Sequence, residues 1–117
     1  MNLYEHTIIT KQSNSKSQIE DIKTKYSNII EKNEGEIVKI DYWGLLNLSH
    51  KINKNNKGNY LHFKFKGNGQ TVFELEKNEN IDDNLLRFLT IKVKKFDLQK
   101  NYFNNENEDK ENNSEKK

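Results

Sequence analysis

Apolar and polar residues alternate along four stretches of the chain, and a period of two residues is typical of strands with one buried face. These stretches fall at residues 2–10, 36–52, 61–66 and 85–93. The first is rich in β-branched and aromatic residues and contains neither Gly nor Pro. The second is the longest, and Gly44 within it indicates a bulge or a bend. We therefore predict four strands.

The second and third strands are expected to form one long hairpin. Residues 53–58 between them have the Asn, Lys and Gly content of a turn. The third strand alternates apolar residues with His62, Lys64 and Lys66, which predicts one apolar and one basic face. The second keeps its apolar residues at even-numbered positions, so we expect them to share a face. These residues are Val38, Ile40, Tyr42, Leu46, Leu48 and Ile52.

Two stretches have helical periodicity instead. The first helix is predicted at about residues 16–33, with a capping box that begins at either Ser15 or Ser17. Gly35 is expected to end it, because Gly takes a positive φ without strain. Its apolar stripe consists of Ile19, Ile22, Tyr26, Ile29 and Ile30.

The second helix is predicted at about 71–79, after the strand-breaking residues 67–69. A capping box of Thr71 with Glu74 is expected to open it. The order strand, helix, strand, strand, helix, strand is the split βαβ or ferredoxin-like pattern. We predict an α+β fold in which two helices cover one face of a four-stranded antiparallel sheet. The long second strand and the fourth strand should be the sheet edges.

Composition limits how much of the chain can form a core. The chain has 117 residues, of which 32% are hydrophobic, and a mean hydropathy of −1.12. This is enough for one domain, which we predict at residues 1–96. Residues 97–117 are mostly Asn, Glu and Lys, and we predict a disordered tail. That tail is either a solubilising extension or a segment that becomes ordered on a partner.

The chain lacks the residues that several functional classes of protein require. Without Cys there are no disulfides or thiolate sites. His6, His50 and His62 have no carboxylate arranged around them in the sequence, so no metal site is expected. Residues 67–69 lack the Gly and Lys of a nucleotide-binding loop. The first residues resemble no signal peptide, and no apolar run reaches membrane-spanning length. We expect no cofactor, no small-molecule substrate and no membrane association.

The distribution of charge is more informative than the net charge of +2. No Asp or Glu lies between Asp41 and Glu74. That interval contains Lys51, Lys54, Lys57, Lys64 and Lys66. Lys side chains on an acid-free surface attract phosphates and displace their counterions. The alternative is an ordinary solvated surface. Trp43 is likewise either a packing residue or a platform on which a base stacks.

Particular residues of the chain resemble the bacterial small-subunit ribosomal protein six family over about residues 1–96. Those residues are Tyr4-Glu5, the Gly-containing helix stop at Gly35, Asp41-Tyr42-Trp43-Gly44, Leu48, Ile52-Asn53-Lys54, Lys57 and Tyr60. Two positions depart from the pattern of that family. Leu46 stands where a basic residue is common, and His50 stands where Tyr is usual. These departures put an RNA contact at Leu46 and aromatic packing at position 50 in question.

The resemblance implies a structural protein of the small ribosomal subunit, not an enzyme. Members of the family bind small-subunit rRNA in the central domain, or platform, as a heterodimer with small-subunit ribosomal protein eighteen. We therefore expect a cytoplasmic, ribosomal location, with an organellar ribosome left open. Candidate rRNA-binding residues are Lys51, Lys54, Lys57, Lys64, Lys66, Arg87 and Lys92. Candidate partner-binding residues are Leu46, Leu48 and His50.

Two other classes of protein share this pattern of elements. One is a homo-oligomeric interaction module that uses its sheet edge and binds no RNA. The other is a small ferredoxin-like enzyme of the acylphosphatase type. Such an enzyme needs an Arg in a phosphate-binding loop early in the chain, whereas Arg87 is the only Arg and lies in the last predicted strand.

Overall fold

A computed structural model describes residues 1–96, and within them the predicted order of elements is confirmed. The predicted disordered tail, 97–117, lies outside the described residues. The elements are β1 (Asn2–Lys11), α1 (Lys16–Lys32), β2 (Glu36–Ile52), β3 (Asn55–Gly67), α2 (Gly69–Asn80) and β4 (Leu85–Val93). Neither described helix is long and apolar enough to cross a membrane.

The four strands form one antiparallel sheet in the order β2-β3-β1-β4. The long second strand and the fourth strand are therefore the edges, as predicted. In the centre, Ile8 of β1 lies opposite Leu61 of β3 on one side and Phe88 of β4 on the other. Because directly opposed side chains share a face, these pairs define the side of the sheet on which the helices pack.

The core is a single layer between this helix side of the sheet and the two helices. Alternate residues of strand β1 are buried, and Tyr4 and Ile8 are the two that belong to this core. The remaining core residues are Ile19, Ile22, Tyr26, Ile30, Leu61, Phe63, Phe65 and Leu75. Full burial of one such side chain stabilises the fold by about 1.5–3 kcal/mol. The low apolar content is thus concentrated in one layer, and the opposite face of the sheet carries no helix.

Helix α1 begins with the first of its two possible capping boxes. Ser15 accepts a hydrogen bond from the backbone of Gln18, whose side chain accepts one from the backbone of Ser15. The expected role of Gly35 is wrong, because Glu34 takes the positive φ, at 68°. Gly35 is required for close packing instead, since a Cβ there would lie 2.6 Å from Ile30 Cγ2.

Helix α2 begins two residues earlier than predicted. Its N-cap is Asn68, which accepts a hydrogen bond from the backbone N–H of Thr71. Thr71 is thus the third residue of the helix and not its cap. Its buried hydroxyl donates to the carbonyl of Asn33 at 2.8 Å, which ties the start of α2 to the end of α1. The capping box at the start of α2 therefore joins Asn68 to Thr71, and the predicted pairing of Thr71 with Glu74 is wrong.

Strand β2 contains bulges, and they overturn the prediction that its even-numbered residues share one face. The register shifts between Tyr42 and Gly44, where Gly44 adopts a φ of 99°. Before this bulge, Tyr42 lies opposite Leu61 and faces the helices. After it, Leu46 lies opposite Gly58 and faces the other side. Each inserted residue reverses a pattern with a period of two, so the bulge predicted at Gly44 also changes the face of Leu46, and the register shifts again between Asn47 and Ile52.

The hairpin turn is much shorter than the six residues predicted. Only Asn53 and Lys54 lie between the paired residues Ile52 and Asn55. Both turn residues have positive φ, 47° and 69°, as in the two-residue turns that suit the twist of paired strands. Strand β3 therefore begins at Asn55, and the hairpin is longer than expected.

Candidate nucleic-acid interface

We define the open face as the face of the sheet that carries no helix. In β1 it presents Glu5, Thr7 and Ile9, which lie opposite Lys64, His62 and Tyr60 of β3. In β4 it presents Arg87, Leu89 and Ile91, which lie opposite Ile9, Thr7 and Glu5. The open face is therefore mixed, with charged, polar and apolar residues along its length.

The hairpin tip carries three exposed lysines, Lys51, Lys54 and Lys57. None of them forms an ion pair with another residue in the described part of the chain. The tip is held to the end of β1 by Gln12, whose backbone donates to Asn55 and whose side chain accepts from the backbone of Lys57. Ammonium groups without acidic neighbours, on an anchored turn, are suited to binding phosphate.

Arg87 lies on the open face close to this tip. It lines a small cavity together with the side of the hairpin, at Leu48, Ser49 and His50. The same cavity is bounded by Ile9 and Tyr60. The fold thus brings the predicted partner-binding residues Leu48 and His50 beside the predicted RNA-binding Arg87. Nothing in the sequence indicated that Arg87 and the hairpin would meet.

Three of the other predicted rRNA-binding residues lie elsewhere. The predicted exposure of Lys64 is wrong, because the residue is only 1% exposed and its ammonium group is covered on the open face. Lys66 is half-buried at the opposite end of β3, opposite Leu3 and Glu36. Lys92 is exposed on β4, opposite Tyr4 and therefore on the helix side of the sheet. The basic residues form a cluster at the hairpin tip and not a continuous basic face.

An aromatic stack crosses the open face near the β2 edge. The Trp43 ring lies 4.6 Å from His62, centroid to centroid, with 17° between their planes, and it stacks on Tyr60 at 6.3 Å. His62 also lies 2.9 Å from the hydroxyl of Thr7 and 3.4 Å from a carboxylate oxygen of Glu5. These contacts favour the interpretation of Trp43 as a packing residue, because His62 occupies one face of its ring.

Burial lowers the pKa of His62 to about 4, an effect to which the positive charge of Lys64 adds. His62 is therefore neutral at pH 7, although Glu5 lies nearby and favours its charged form. A neutral imidazole contributes stacking surface and hydrogen bonds but no positive charge to attract RNA. The charge at this part of the open face comes from other side chains.

A second His–carboxylate pair lies on the helix side of the sheet. His6 Nε2 is 2.5 Å from Glu79 Oε2, and both side chains are fully buried. His6 Nδ1 lies 2.6 Å from Thr90 Oγ1, which in turn donates to Glu76 at 2.9 Å. The sequence indicated neither of the carboxylates that face these histidines. His6 and Glu79 are 73 positions apart, so no local pattern could have indicated their contact.

Neither His–carboxylate pair extends to a metal site in the part of the chain that the structure describes. No group of three or more His, Cys, Asp or Glu side chains converges within residues 1–96 in a way that could hold a metal ion. The distinctive surface is thus the hairpin tip with its adjoining cavity. Its exposed cations beside apolar side chains suit a polyanion and a protein surface better than a small substrate.

Comparison with known proteins links this fold to one family. A family model described as ribosomal protein S6 matches residues 3–92. The chain is 58% identical over 108 residues to small ribosomal subunit protein bS6 of Pelagibacter ubique, covering 92% of this chain and 89% of that protein. It is 40% identical over 99 residues to the bS6 protein of Caulobacter vibrioides, covering 85% of this chain and 79% of that one.

A solved structure supports the fold independently. The crystal structure of 30S ribosomal protein S6 from Thermotoga maritima matches with a TM-score of 0.75. The alignment covers 94% of this chain and 95% of that one, at 23% sequence identity. At this level of identity the likeness concerns the arrangement of helices and strands.

Proposed function

Because the chain belongs to the ribosomal protein S6 family, we propose that it binds small-subunit rRNA through its hairpin tip, together with small-subunit ribosomal protein eighteen. The family is a structural family of the small ribosomal subunit and not a family of enzymes. The proposed setting is the central domain, or platform, of the cytoplasmic ribosome. The observation that carries the proposal is the cluster of exposed lysines at the end of a long hairpin, which form no ion pair within residues 1–96.

The reach of the hairpin supports contact with a large polyanion. Strands β2 and β3 have 17 and 13 residues, whereas β1 has 10 and β4 has 9. At about 3.3 Å per residue, the paired strands extend well past the end of the central strand. Lys51, Lys54 and Lys57 are thus presented away from the acidic side chains of the domain. Each phosphate contact they make would release a counterion.

The conformation of Lys54 also supports a role for its charge. Lys54 adopts a φ of 69°, a left-handed conformation that costs a non-Gly residue roughly 1 kcal/mol. Gly would adopt it without strain. A Lys at this position therefore offers no advantage to the turn itself, but it places a cation at the outermost point of the hairpin.

The partner surface is proposed at Leu46, Leu48 and His50. Beyond the Gly44 bulge, Leu46 and Leu48 project on the open face, where no helix covers them. Both are only half-buried, and His50 is exposed. Apolar side chains on an uncovered sheet edge favour association with a second protein. Small-subunit ribosomal protein eighteen is the partner that the family resemblance implies.

The electrostatic part of the proposal is tested by changing Lys51, Lys54 and Lys57 together to Gln. Binding to small-subunit central-domain rRNA, in the presence of protein eighteen, should weaken. The slope of log affinity against log salt concentration should become shallower by about one unit or less per lost phosphate contact. A filter-binding or fluorescence titration between low and physiological salt measures both quantities.

A matched triple variant separates local contact from net charge. Lys16, Lys32 and Lys77 are exposed residues of the two helices, on the other side of the sheet. Their replacement by Gln removes the same charge and should leave the salt slope close to that of the wild type. Equal effects of the two triple variants would contradict binding through the hairpin tip.

A further inference from the structure

The open face contains a groove beside the hairpin that the proposed lysine contacts do not use. It has a volume of about 410 Å³. One row of residues crosses it, in which Ile9 of β1 lies between Tyr60 of β3 and Arg87 of β4. Thr7 and Leu89 line it in the next row of the same face. We call this the open-face groove, and none of the described residues that line it is acidic.

We propose that the open-face groove binds one unpaired base of single-stranded RNA, between the Tyr60 ring and the Arg87 guanidinium. The inference rests on the proposed function, because it adds a base-binding site to the phosphate contacts of the hairpin tip. RNA-binding proteins commonly hold unpaired bases by stacking them on aromatic rings and on the planes of Arg side chains. The open-face groove has one group of each kind, on opposite walls.

The spacing of these two walls suits one planar base. Tyr60 and Arg87 lie on either side of Ile9, two strand spacings of ~4.8 Å apart, so their backbones are about 10 Å from each other. A base in contact with both planar groups needs about 7–8 Å between them, since carbon atoms pack ~3.5–4.0 Å apart. The apolar side chain of Ile9 then forms the floor beneath the base.

The Tyr60 ring is packed on the side that faces β2. Trp43 of β2 stacks on it, with 18° between the planes and 6.3 Å between the centroids. Trp43 also stacks on His62, which lies 2.9 Å from the hydroxyl of Thr7. Because β3 lies between β2 and β1, the opposite side of Tyr60 borders the groove. A ring held in this way loses little conformational freedom when a base stacks on it.

The charge of Arg87 favours a nucleotide over an apolar protein segment. Arg87 is exposed and forms no ion pair with another residue within residues 1–96. A guanidinium is always charged, stacks on planar π systems and binds phosphate. An apolar segment in the groove would cover this charge without pairing it, at a cost in free energy. The Thr7 hydroxyl offers a hydrogen bond to the edge of a base.

The groove adjoins the hairpin tip, so one RNA strand can contact both. It shares three lining residues with the smaller cavity that His50 borders. Lys51 follows His50 directly, and Lys54 lies in the turn. A strand with one base in the groove would therefore continue with its phosphates beside the tip lysines. Aromatic stacking beside a row of cations is the usual arrangement for binding single strands.

An NMR titration of the ¹⁵N-labelled full chain with single-stranded hexaadenylate tests the site directly. The control is an abasic hexamer, which has the same sugar–phosphate backbone without bases. Amide signals of Thr7, Ile9 and Leu89 should shift with hexaadenylate and stay unchanged with the abasic hexamer. Signals of the hairpin tip should shift with both. Absence of groove shifts with hexaadenylate, or equal shifts with the abasic hexamer, would overturn the proposal. Groove shifts without tip shifts would support the base site and contradict the proposed phosphate contacts, so the two failures are distinguishable.

Two substitutions of Tyr60 test the stacking ring. Tyr60→Leu keeps an apolar wall but removes the ring, and the affinity for hexaadenylate should fall about fivefold or more, as for one lost base–aromatic stack. The salt slope should keep its wild-type value, because the stack releases no counterion. Tyr60→Phe should restore the affinity. Phe73→Leu is the matched control, since Phe73 is an exposed aromatic residue of α2, and it should bind like the wild type. Unchanged affinity in a folded Tyr60→Leu variant, or a loss that Tyr60→Phe does not restore, would overturn the proposal.

A calorimetric titration with protein eighteen in the absence of RNA tests a protein as the occupant of the groove. Tyr60→Leu should bind protein eighteen with the affinity of the wild type. A loss of affinity in this titration, with Tyr60→Phe unaffected, would mean that the groove belongs to a protein interface. That result would overturn the base site.

Discussion

At the scale of single residues, the buried contact between His6 and Glu79 shows how packing sets protonation. Burial lowers the pKa of His6 to about 4 and raises that of Glu79 to about 9. The negative charge of Glu76 favours the protonated form of both groups. At pH 7 the pair is therefore uncharged, and the Glu79 hydroxyl donates to His6 Nε2. His6 Nδ1–H then donates to Thr90, which donates to Glu76.

These pKa shifts make stability depend on pH in opposite directions. Folded Glu79 keeps a proton that the unfolded chain releases above about pH 4.5. Its contribution to the free energy of unfolding is therefore fully present below about pH 4.5 and is lost as the pH rises toward 9. His6 and His62 resist a proton that the unfolded chain takes up, so stability is lost as pH falls from 6.5 toward 4. Between pH 6.5 and 9, the raised pKa of Glu79 therefore makes the free energy of unfolding fall as the pH rises.

We expect Glu79→Gln to abolish the fall in stability between pH 6.5 and 9. The Gln amide can still donate to His6 Nε2, but it has no proton to lose. The wild type should lose about 1–3 kcal/mol of unfolding free energy over this range, since a pKa difference changes stability by up to 1.36 kcal/mol per pH unit. Urea denaturation at several pH values measures the profile. The exposed Glu20→Gln substitution serves as control and should keep the wild-type fall. A fall of wild-type size in Glu79→Gln would contradict the assignment.

At the scale of secondary-structure elements, the shape of the β2–β3 hairpin depends on two local backbone features, a bulge and a tight turn. The Gly44 bulge reverses the face of the distal half of β2, and the turn at Asn53 and Lys54 closes the hairpin with two positive φ angles. The first device moves Leu46 and Leu48 from the helix side to the open face. The second brings the tip lysines together. Both place side chains outside the core, on the surfaces that we propose for binding.

We expect Lys54→Gly to stabilise the protein by about 0.5–1 kcal/mol, because Gly relieves the left-handed strain at φ 69°. Lys57→Gly is the matched control. It removes the same charge from a strand residue with ordinary φ and should destabilise the protein by a similar amount. Chemical denaturation of the two variants measures the difference. Equal effects of both would show that the turn conformation of Lys54 carries no strain.

At the scale of the whole molecule, the sheet separates the hydrophobic core from the surface that we propose for binding. Its helix side holds the core, and its open face brings together the hairpin, the end of β1 and Arg87 of β4. Because Leu48 projects on the open face, it can be changed without opening the core. The two sides of β2 therefore offer a direct test of the surface proposed to contact protein eighteen.

Leu48→Asp should weaken the proposed heterodimer by about 2–5 kcal/mol, since an unpaired charge would be buried against the partner. Leu45→Asp is the matched control, because Leu45 is 47% exposed and lies on the same strand opposite Asn59, on the helix side. Isothermal titration calorimetry with protein eighteen measures both affinities, after circular dichroism has checked both folds. A folded Leu48→Asp variant with wild-type affinity would place the partner elsewhere.

The sequence by itself determined the elements and their order. Signals of this kind act between residues a few positions apart, such as the Ser15 capping box, the apolar stripe of α1 and the alternation in β1. Composition likewise indicated a basic hairpin tip, because charge along a short turn does not depend on the rest of the fold. The bulge at Gly44 could be predicted for the same local reason.

Only the tertiary structure decided which face, depth and neighbour each side chain has. The register shifts in β2 moved Leu46 and Leu48 to the open face, and packing across the sheet buried Lys64, which alternation had placed at the surface. The sheet order brought Arg87 beside His50 and Glu79 against His6. These contacts join residues far apart in the chain through strand pairing and helix packing. They depend on how several elements are arranged relative to one another, so no local pattern in the sequence indicates them.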